Sequence, residues 1–362
     1  MNKKHIPALD GLRGIACLMI FMGHFLHQHD HHSHSISPFW IRLSSQYWAG
    51  VDLFFVLSGF VIFLSLSRLR ETLSPLGVMR SYFTSRAFRI LPVYYLLILA
   101  YFYIPFNNKL MSSDLFISSV PSPVYLFLGQ SWWMVANHEA GAPFVQPTWS
   151  LCAEEFLYVL ILFMVCFIPS RHLIKAMAAA AATSLILRIH TVMTDGNLVG
   201  AYLLPPYRMD GFMLGGIIAL LHSRGQLSSI NTRVLNWAVL SFSLIFAAMT
   251  YSNVNLFGRF AIAFGYAFYA MFFASILVRV IKGGNFGYLS KGPLAYIGMV
   301  SYFVYLAHFP IVYAMSFVPC NVIINLMITL GVVLGAATLS WYGMEKPLIS
   351  RGKSLNETRA AR

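Results

Sequence analysis

The stretch Leu9-Asp10-Gly11-Leu12-Arg13-Gly14-Ile15-Ala16, followed by apolar sequence as far as His24, decides the fold class. It is oily enough for a bilayer, yet it carries ionisable groups. At about 100° per residue, the eleven positions from Arg13 to His24 are close to three helical turns. Asp10, Arg13, Cys17, Ile20 and His24 therefore share one face, with Arg13 and His24 roughly 16 Å apart along the axis. Ionisable side chains inside a membrane are costly and face an interior cavity rather than lipid. A cation near one end and an imidazole near the other point to a polar site running through the membrane.

The rest of the chain agrees. Hydrophobic residues make up 58% and charged residues 10%, far from the roughly 25% charged of a soluble average. The fold class is all-α and polytopic. One transmembrane domain is expected over residues 1–346, with residues 347–362 a short basic tail that frays. A span needs about 20 apolar residues. Ten segments qualify: 8–27, 47–66, 88–105, 149–168, 173–190, 208–222, 234–250, 258–280, 293–315 and 321–343, the sixth being short. The stretch 121–135, with Pro121, Pro123, Trp132 and Trp133, reads as an interfacial or re-entrant piece. Met1-Asn2-Lys3-Lys4 before an apolar run resembles a signal peptide, but no small-residue cleavage site follows Phe25. The segment reads as an uncleaved first span.

The net charge of +13 has an explanation that needs no nucleic acid. With the N-terminus in the cytoplasm, Lys and Arg fall about four to one on the cytoplasmic side, as the positive-inside rule expects. Both termini are then cytoplasmic, and the chain is a multi-pass membrane protein. Intramembrane polar residues sort into two layers. On the cytoplasmic side are Asp10, Arg13, Arg86, Arg89 and Glu345; in the outer half are His24, Asp52, Glu154, Arg208, Asp210 and His308.

Arg86 and Arg89 stand at i and i+3 and share a helix face. Two planar guanidinium forks suit phosphate oxygens, which they can bond bidentately. The competing reading is simple positive-inside anchoring. Arg13 has its own competing reading, a structural ion pair with Asp10. In the outer layer a neutral His can take a proton from a hydroxyl while a carboxylate orients it; Asp52 and Glu154 are the candidates for that orienting role. Asp10, Arg208, Asp210 and His308 are candidates for an acceptor or structural polar site, and Arg208 is also a candidate donor to a developing oxyanion. His308 fits a helix–helix hydrogen-bonding role better than His24 does.

The tract His27-Gln28-His29-Asp30-His31-His32-Ser33-His34 is expected to be a polar loop without a defined metal site. The four cysteines, Cys17, Cys152, Cys166 and Cys320, lie in or beside apolar stretches without metal-ligand spacing and read as small buried hydrophobes. No Gly-x-Ser-x-Gly, Walker A or His-Glu-x-x-His sequence is present, which argues against those mechanisms.

Taken in order, the motifs resemble the acyltransferase-3 family of bacterial envelope O-acyltransferases. They are Leu9–Ala16 with His24; Gly50-Val51-Asp52-Leu53-Phe54-Phe55-Val56-Leu57-Ser58-Gly59-Phe60; Arg86–Pro92; Trp149-Ser150-Leu151 with Glu154 and Glu155; Arg208–Gly216; Ser301–Pro310; and Glu345-Lys346-Pro347. The resemblance covers nearly the whole chain. It implies a ten-helix core, an acyl-CoA donor (acetyl-CoA first) entering from the cytoplasm, and a carbohydrate or lipid-linked glycan hydroxyl as acceptor at the outer face. It makes His24 the catalytic histidine and gives Arg13, Arg86 and Arg89 to the donor. It implies no permanently bound cofactor. One departure is Leu157-Tyr158, where an aromatic commonly precedes the tyrosine. Some members carry an additional hydrolase-like domain; in its absence a second step would fall to an envelope-biosynthesis partner protein. The competing function is a transporter or flippase of an anionic or lipid-linked sugar, whose polar residues would line a similar route.

Overall fold

The computed structural model describes residues 6–33, 36–103, 120–139, 141–255, 258–283 and 286–360. Lys3, Lys4, His34, Lys109 and Arg362, used above for charge or composition, lie outside them. The described residues are helical without strands. Among the described residues, nine helical segments are long and apolar enough to cross a membrane. They are α1 (Ala8–Ser33), the run of α2 (Pro38–Ser44) into α3 (Ala49–Thr72), α4 (Pro75–Tyr103), α7 (Thr148–Phe167), α8 (Leu173–Met193), α11 (Thr232–Tyr251), the Ala261–Ile281 segment ending in α12 (Tyr266–Ile281), α14 (Pro293–Ser316), and α15 (Val322–Ser340) with its continuation. The expected sixth span is α10 (Met209–Ser223), a shorter apolar helix of 15 residues. Its length of about 22 Å falls short of the roughly 30 Å hydrocarbon core. The remaining short helices are α5 (Ser122–Leu126), α6 (Gln130–Ala136), α9 (Leu198–Leu203) and α13 (Gly287–Ser290).

The chain divides into two compact units, Met1–Ser65 with Phe156–Met299, and Leu66–Glu155 with Val300–Arg362. In the first unit, glycines let helix backbones touch. A Cβ at Gly11 would lie 2.3 Å from Leu289 O, one at Gly14 2.1 Å from Leu294 O, and one at Gly298 1.7 Å from Asp10 O. The glycines of the Asp10–Gly14 motif therefore seat α1 against α13 and the start of α14. A second crossing joins α3 to α10: a Cβ at Gly59 would lie 2.0 Å from Phe212 O, and one at Gly215 2.1 Å from Val56 O. Glycine in a helix costs about 1 kcal/mol relative to Ala. Here it permits an approach that no other residue allows. Asparagines start three helices, the side chains of Asn197, Asn231 and Asn321 accepting from the backbone N–H of Gly200, Arg233 and Ile323.

In the second unit, the 121–135 stretch forms α5 and α6, too short to span and tied to neighbouring helices by polar contacts. Tyr94 and Tyr95 on α4 donate to Tyr125 O at 2.6 Å and Leu126 O at 2.9 Å. Gln130 donates to Thr148 O at 2.8 Å, and Ser131 to Trp149 O at 3.0 Å. Phe127 is 86% exposed, as an interfacial segment would leave it.

Two sequence expectations are corrected. The histidine tract is not a loop as far as Ser33: α1 runs without a break through His27, His29 and His31, because no Gly or Pro lies between His24 and Pro38 in the sequence. His29 is buried with its ring 4.3 Å from that of Phe25. The C-terminal tail does not fray. After α15 the chain makes a wide π turn, Trp341–Glu345, and continues as α16 (Lys346–Ala360). Pro347 explains the turn: its ring would clash with the carbonyl four residues back in a regular α-helix, and the wide turn makes room. Helix α16 lies on α4, Asn356 donating to Ser81 O at 3.1 Å and Ser85 Oγ at 2.9 Å. Of the cysteines, Cys17, Cys152 and Cys166 are buried as expected, but Cys320 is exposed.

Candidate functional site

His24 sits on α1 at 8% exposure. Its Nδ1 lies 3.1 Å from Ile20 O, one turn back. A carbonyl only accepts, so Nδ1 carries the proton, and in the neutral ring Nε2 is the basic nitrogen. That is the tautomer a general base requires. The Trp48 indole packs edge-on against the imidazole, centroids 4.8 Å apart, and stands four residues before Asp52.

Asp52 is engaged by Arg208. The Arg208 Nη2 donates to Asp52 Oδ1 at 2.7 Å, and both side chains are buried. The guanidinium is covered by the Tyr266 ring at 3.9 Å, with Phe55 and Tyr202 at 5.4 and 5.5 Å. Beside it lies a second buried pair: Arg188 Nη2 donates to Asp210 Oδ2 at 2.6 Å. Arg188 also reaches Ser184 Oγ at 3.1 Å and Tyr207 O at 2.5 Å, while Asp210 Oδ1 accepts from the Gly211 N–H. Two cations and two anions make a neutral group, which suits a low-dielectric interior where a lone charge is costly. The α3–α10 glycine crossing brings Asp52 and Arg208 together although 156 residues separate them.

Asp10 and Arg13 form the ion pair that was the structural alternative for Arg13, at 3.5 Å, each about one-fifth exposed. In the second unit, Arg86 Nη2 pairs with Glu155 Oε1 at 3.0 Å. Arg89 is exposed on the same helix and lies in the field of Glu345, a buried carboxylate that accepts from Ser340 Oγ at 2.8 Å. Tyr302 donates to Ile90 O at 2.7 Å, fixing α4 next to these arginines. Glu154 is half-buried on α7, one residue before the Glu155 that holds Arg86. The Ser150 and Tyr305 hydroxyls meet at 2.6 Å. His308 is buried with Nδ1 at 2.8 Å from Tyr305 O and 3.0 Å from Val304 O; these bonds lie within α14 and not between helices.

Sequence reasoning missed Glu155, Trp48, Tyr266 and above all Arg188. Arg188 follows an apolar run, Leu185-Ile186-Leu187, near the end of the expected 173–190 span, and entered the sequence reading only through the overall charge balance. An arginine within the bounds of a span was itself the clue.

The comparisons with known proteins bear on the whole arrangement. The chain is 25% identical over 98% of its length to a Staphylococcus aureus (strain COL) protein provisionally named an O-acetyltransferase, covering 59% of that protein. It is 25% identical over 97% of its length to the Bacillus subtilis protein YrhL, provisionally named a peptidoglycan O-acetyltransferase, covering 56% of it. It is 25% identical over 86% of its length to the Listeria monocytogenes peptidoglycan O-acetyltransferase OatA, covering 50% of it. The chain thus spans little more than half the length of these curated relatives. No solved structure matches it. The acyltransferase-3 model, described as an acyltransferase domain, matches residues 6–345, a range that takes in every candidate residue above, and the chain belongs to that family.

Proposed function

We propose that this chain is a membrane O-acyltransferase that moves an acetyl group from acetyl-CoA to a hydroxyl of an envelope glycan. The observation that carries the reading is His24: a buried imidazole on a membrane helix whose Nδ1 donates to Ile20 O, the tautomer in which Nε2 is the basic nitrogen. In this reading Nε2 takes the proton of the acceptor hydroxyl as its oxygen attacks the thioester carbonyl. The carbon–sulfur bond then breaks, and coenzyme A leaves as thiol once it has taken up a proton. General-base assistance of this kind contributes about 10²–10⁴ in rate. Arg86 and Arg89 receive the donor's phosphates as planar forks. Arg13, already neutralised in part by Asp10, lines the donor's path. Asp52 supports Arg208, and Ile20 O does for the imidazole what a carboxylate does in soluble triads. Glu154 remains the candidate carboxylate for orienting the imidazole.

The names of the relatives favour peptidoglycan as the acceptor class. The charge distribution supports termini and donor in the cytoplasm, with the acceptor on the opposite face of the inner membrane. The test uses the full chain purified in detergent with acetyl-labelled acetyl-CoA and peptidoglycan fragments. Label should pass to the glycan in wild type and not in His24→Ala. Movement of glycan across vesicles without donor consumption would instead establish the transporter.

A further inference from the structure

Helix α4 and the helical run that ends in α16 are both longer than a bilayer crossing. Helix α4 has 29 residues, about 43 Å. The helical run from Val322 to Thr358 has 37 residues, about 55 Å. Both exceed the roughly 30 Å hydrocarbon core, and the parts lying together are their polar ends. Helix α16 lies along the Ser81, Ser85 and Phe88 face of α4. Asn356 donates to Ser81 O and Ser85 Oγ. Gly352 is so close to Phe88 that a Cβ there would lie 2.9 Å from Phe88 Cβ and 3.1 Å from its Cγ. Gly352 is buried while Arg351 and Lys353 on either side of it are exposed, so these cations point away from the contact. About two turns earlier, the π turn places Glu345 inward, in the field of Arg89.

We infer that α16 is a positioning element of the donor site: it braces α4 so that Arg86 and Arg89 present their guanidinium groups in the geometry a nucleotide phosphate needs. This rests on the proposal that the two arginines hold acyl-CoA. Two contacts and one charge–charge interaction carry it. Asn356 fixes the α4 backbone at Ser81, one turn before Ser85. Gly352 fixes Phe88, the residue before Arg89. Glu345 acts on Arg89 itself. With Glu155 on Arg86 and Tyr302 on Ile90 O, each side of the arginine-bearing turn is held. A long flexible cation needs such support to keep a bidentate angle.

The experiment measures equilibrium binding of radiolabelled acetyl-CoA to the full chain in detergent. Gly352→Ala and the milder Asn356→Ala should each weaken donor affinity by about tenfold, below the ~10²-fold cost of displacing reacting groups by 1 Å. Turnover at saturating donor should match wild type. Two controls give the result its meaning. Lys353→Ala removes an outward cation without touching the contact. Asn325→Ala breaks a hydrogen bond from α15 to Met315 O and weakens the same unit away from α4. Both should bind donor as wild type does. If Arg86→Ala/Arg89→Ala leaves affinity unchanged, the donor reading fails and the brace fails with it. If that double variant loses affinity while Gly352→Ala and Asn356→Ala keep it, the brace alone is overturned. Equal losses from Lys353→Ala or Asn325→Ala overturn it too, because outward charge or general loosening then accounts for the effect.

Discussion

Asp52→Asn separates two roles for one carboxylate. The substitution keeps the shape of the side chain and removes its charge. It leaves the Arg208 guanidinium, 1% exposed, without its anion at 2.7 Å. Removing one partner of a buried pair costs about 3–5 kcal/mol. The Tyr266 ring, 3.9 Å from the guanidinium carbon, retains part of the stabilisation, since a desolvated cation–π contact is worth about 2 kcal/mol. The expected loss therefore lies at the lower end, about 3 kcal/mol, or roughly two decades in the folded-to-unfolded ratio at ~1.4 kcal/mol per decade. Asp52→Leu combined with Arg208→Met leaves no unpaired charge and should recover most of that loss. Thermal denaturation in detergent, followed by the monodisperse fraction on size exclusion, measures both. An Asp52→Asn protein as heat-stable as wild type but with turnover reduced by ~10²-fold or more would refute the reasoning, and would return Asp52 to the role of orienting His24.

Other substitutions test other links. His24→Ala should lose about 10²–10⁴ in acyl transfer while keeping normal insertion and abundance, measured by turnover per milligram of monodisperse protein. Arg86→Lys should keep part of the donor affinity that Arg86→Ala loses, because an ammonium supplies charge without the planar fork; titration with acetyl-CoA decides. Gly298→Ala should abolish accumulation of folded protein, since the added Cβ would sit 1.7 Å from Asp10 O; membrane abundance by immunoblot reads this directly. Arg188→Met should lower thermal stability as Asp52→Asn does, because it strands Asp210 in a buried position.

The membrane-spanning helices were legible because hydropathy and the length of a bilayer crossing are properties of a local window. Even α10, an apolar helix shorter than a span, was found within a residue of its ends. What was not legible follows from distance along the chain. Nothing local says that Asp52 meets Arg208, or Arg86 meets Glu155 across 69 positions. The paired glycines on α3 and α10 hold the relevant hint, but a glycine announces a close approach without naming its partner. The histidine tract was misread because polarity was taken as a loop signal when no helix breaker was present. The tail was misread because its partner, the Ser81–Phe88 face of α4, lies over 250 residues earlier. Proline at 347 also reads as a stop; the π turn that absorbs it cannot be seen in composition. His24 and its stripe with Arg13 were readable at once, since helical periodicity alone places them on one face.

The central claim is that donor and acceptor react from opposite sides of a membrane. The most direct measurement places the full chain in sealed vesicles of known orientation, with acetyl-CoA confined to one side and glycan acceptor to the other. Acetylated glycan should form only when the donor shares the side of the chain termini and the acceptor shares the side of the histidine-bearing end of α1. Efficient product formation with both substrates confined to the terminus-bearing side would contradict the account.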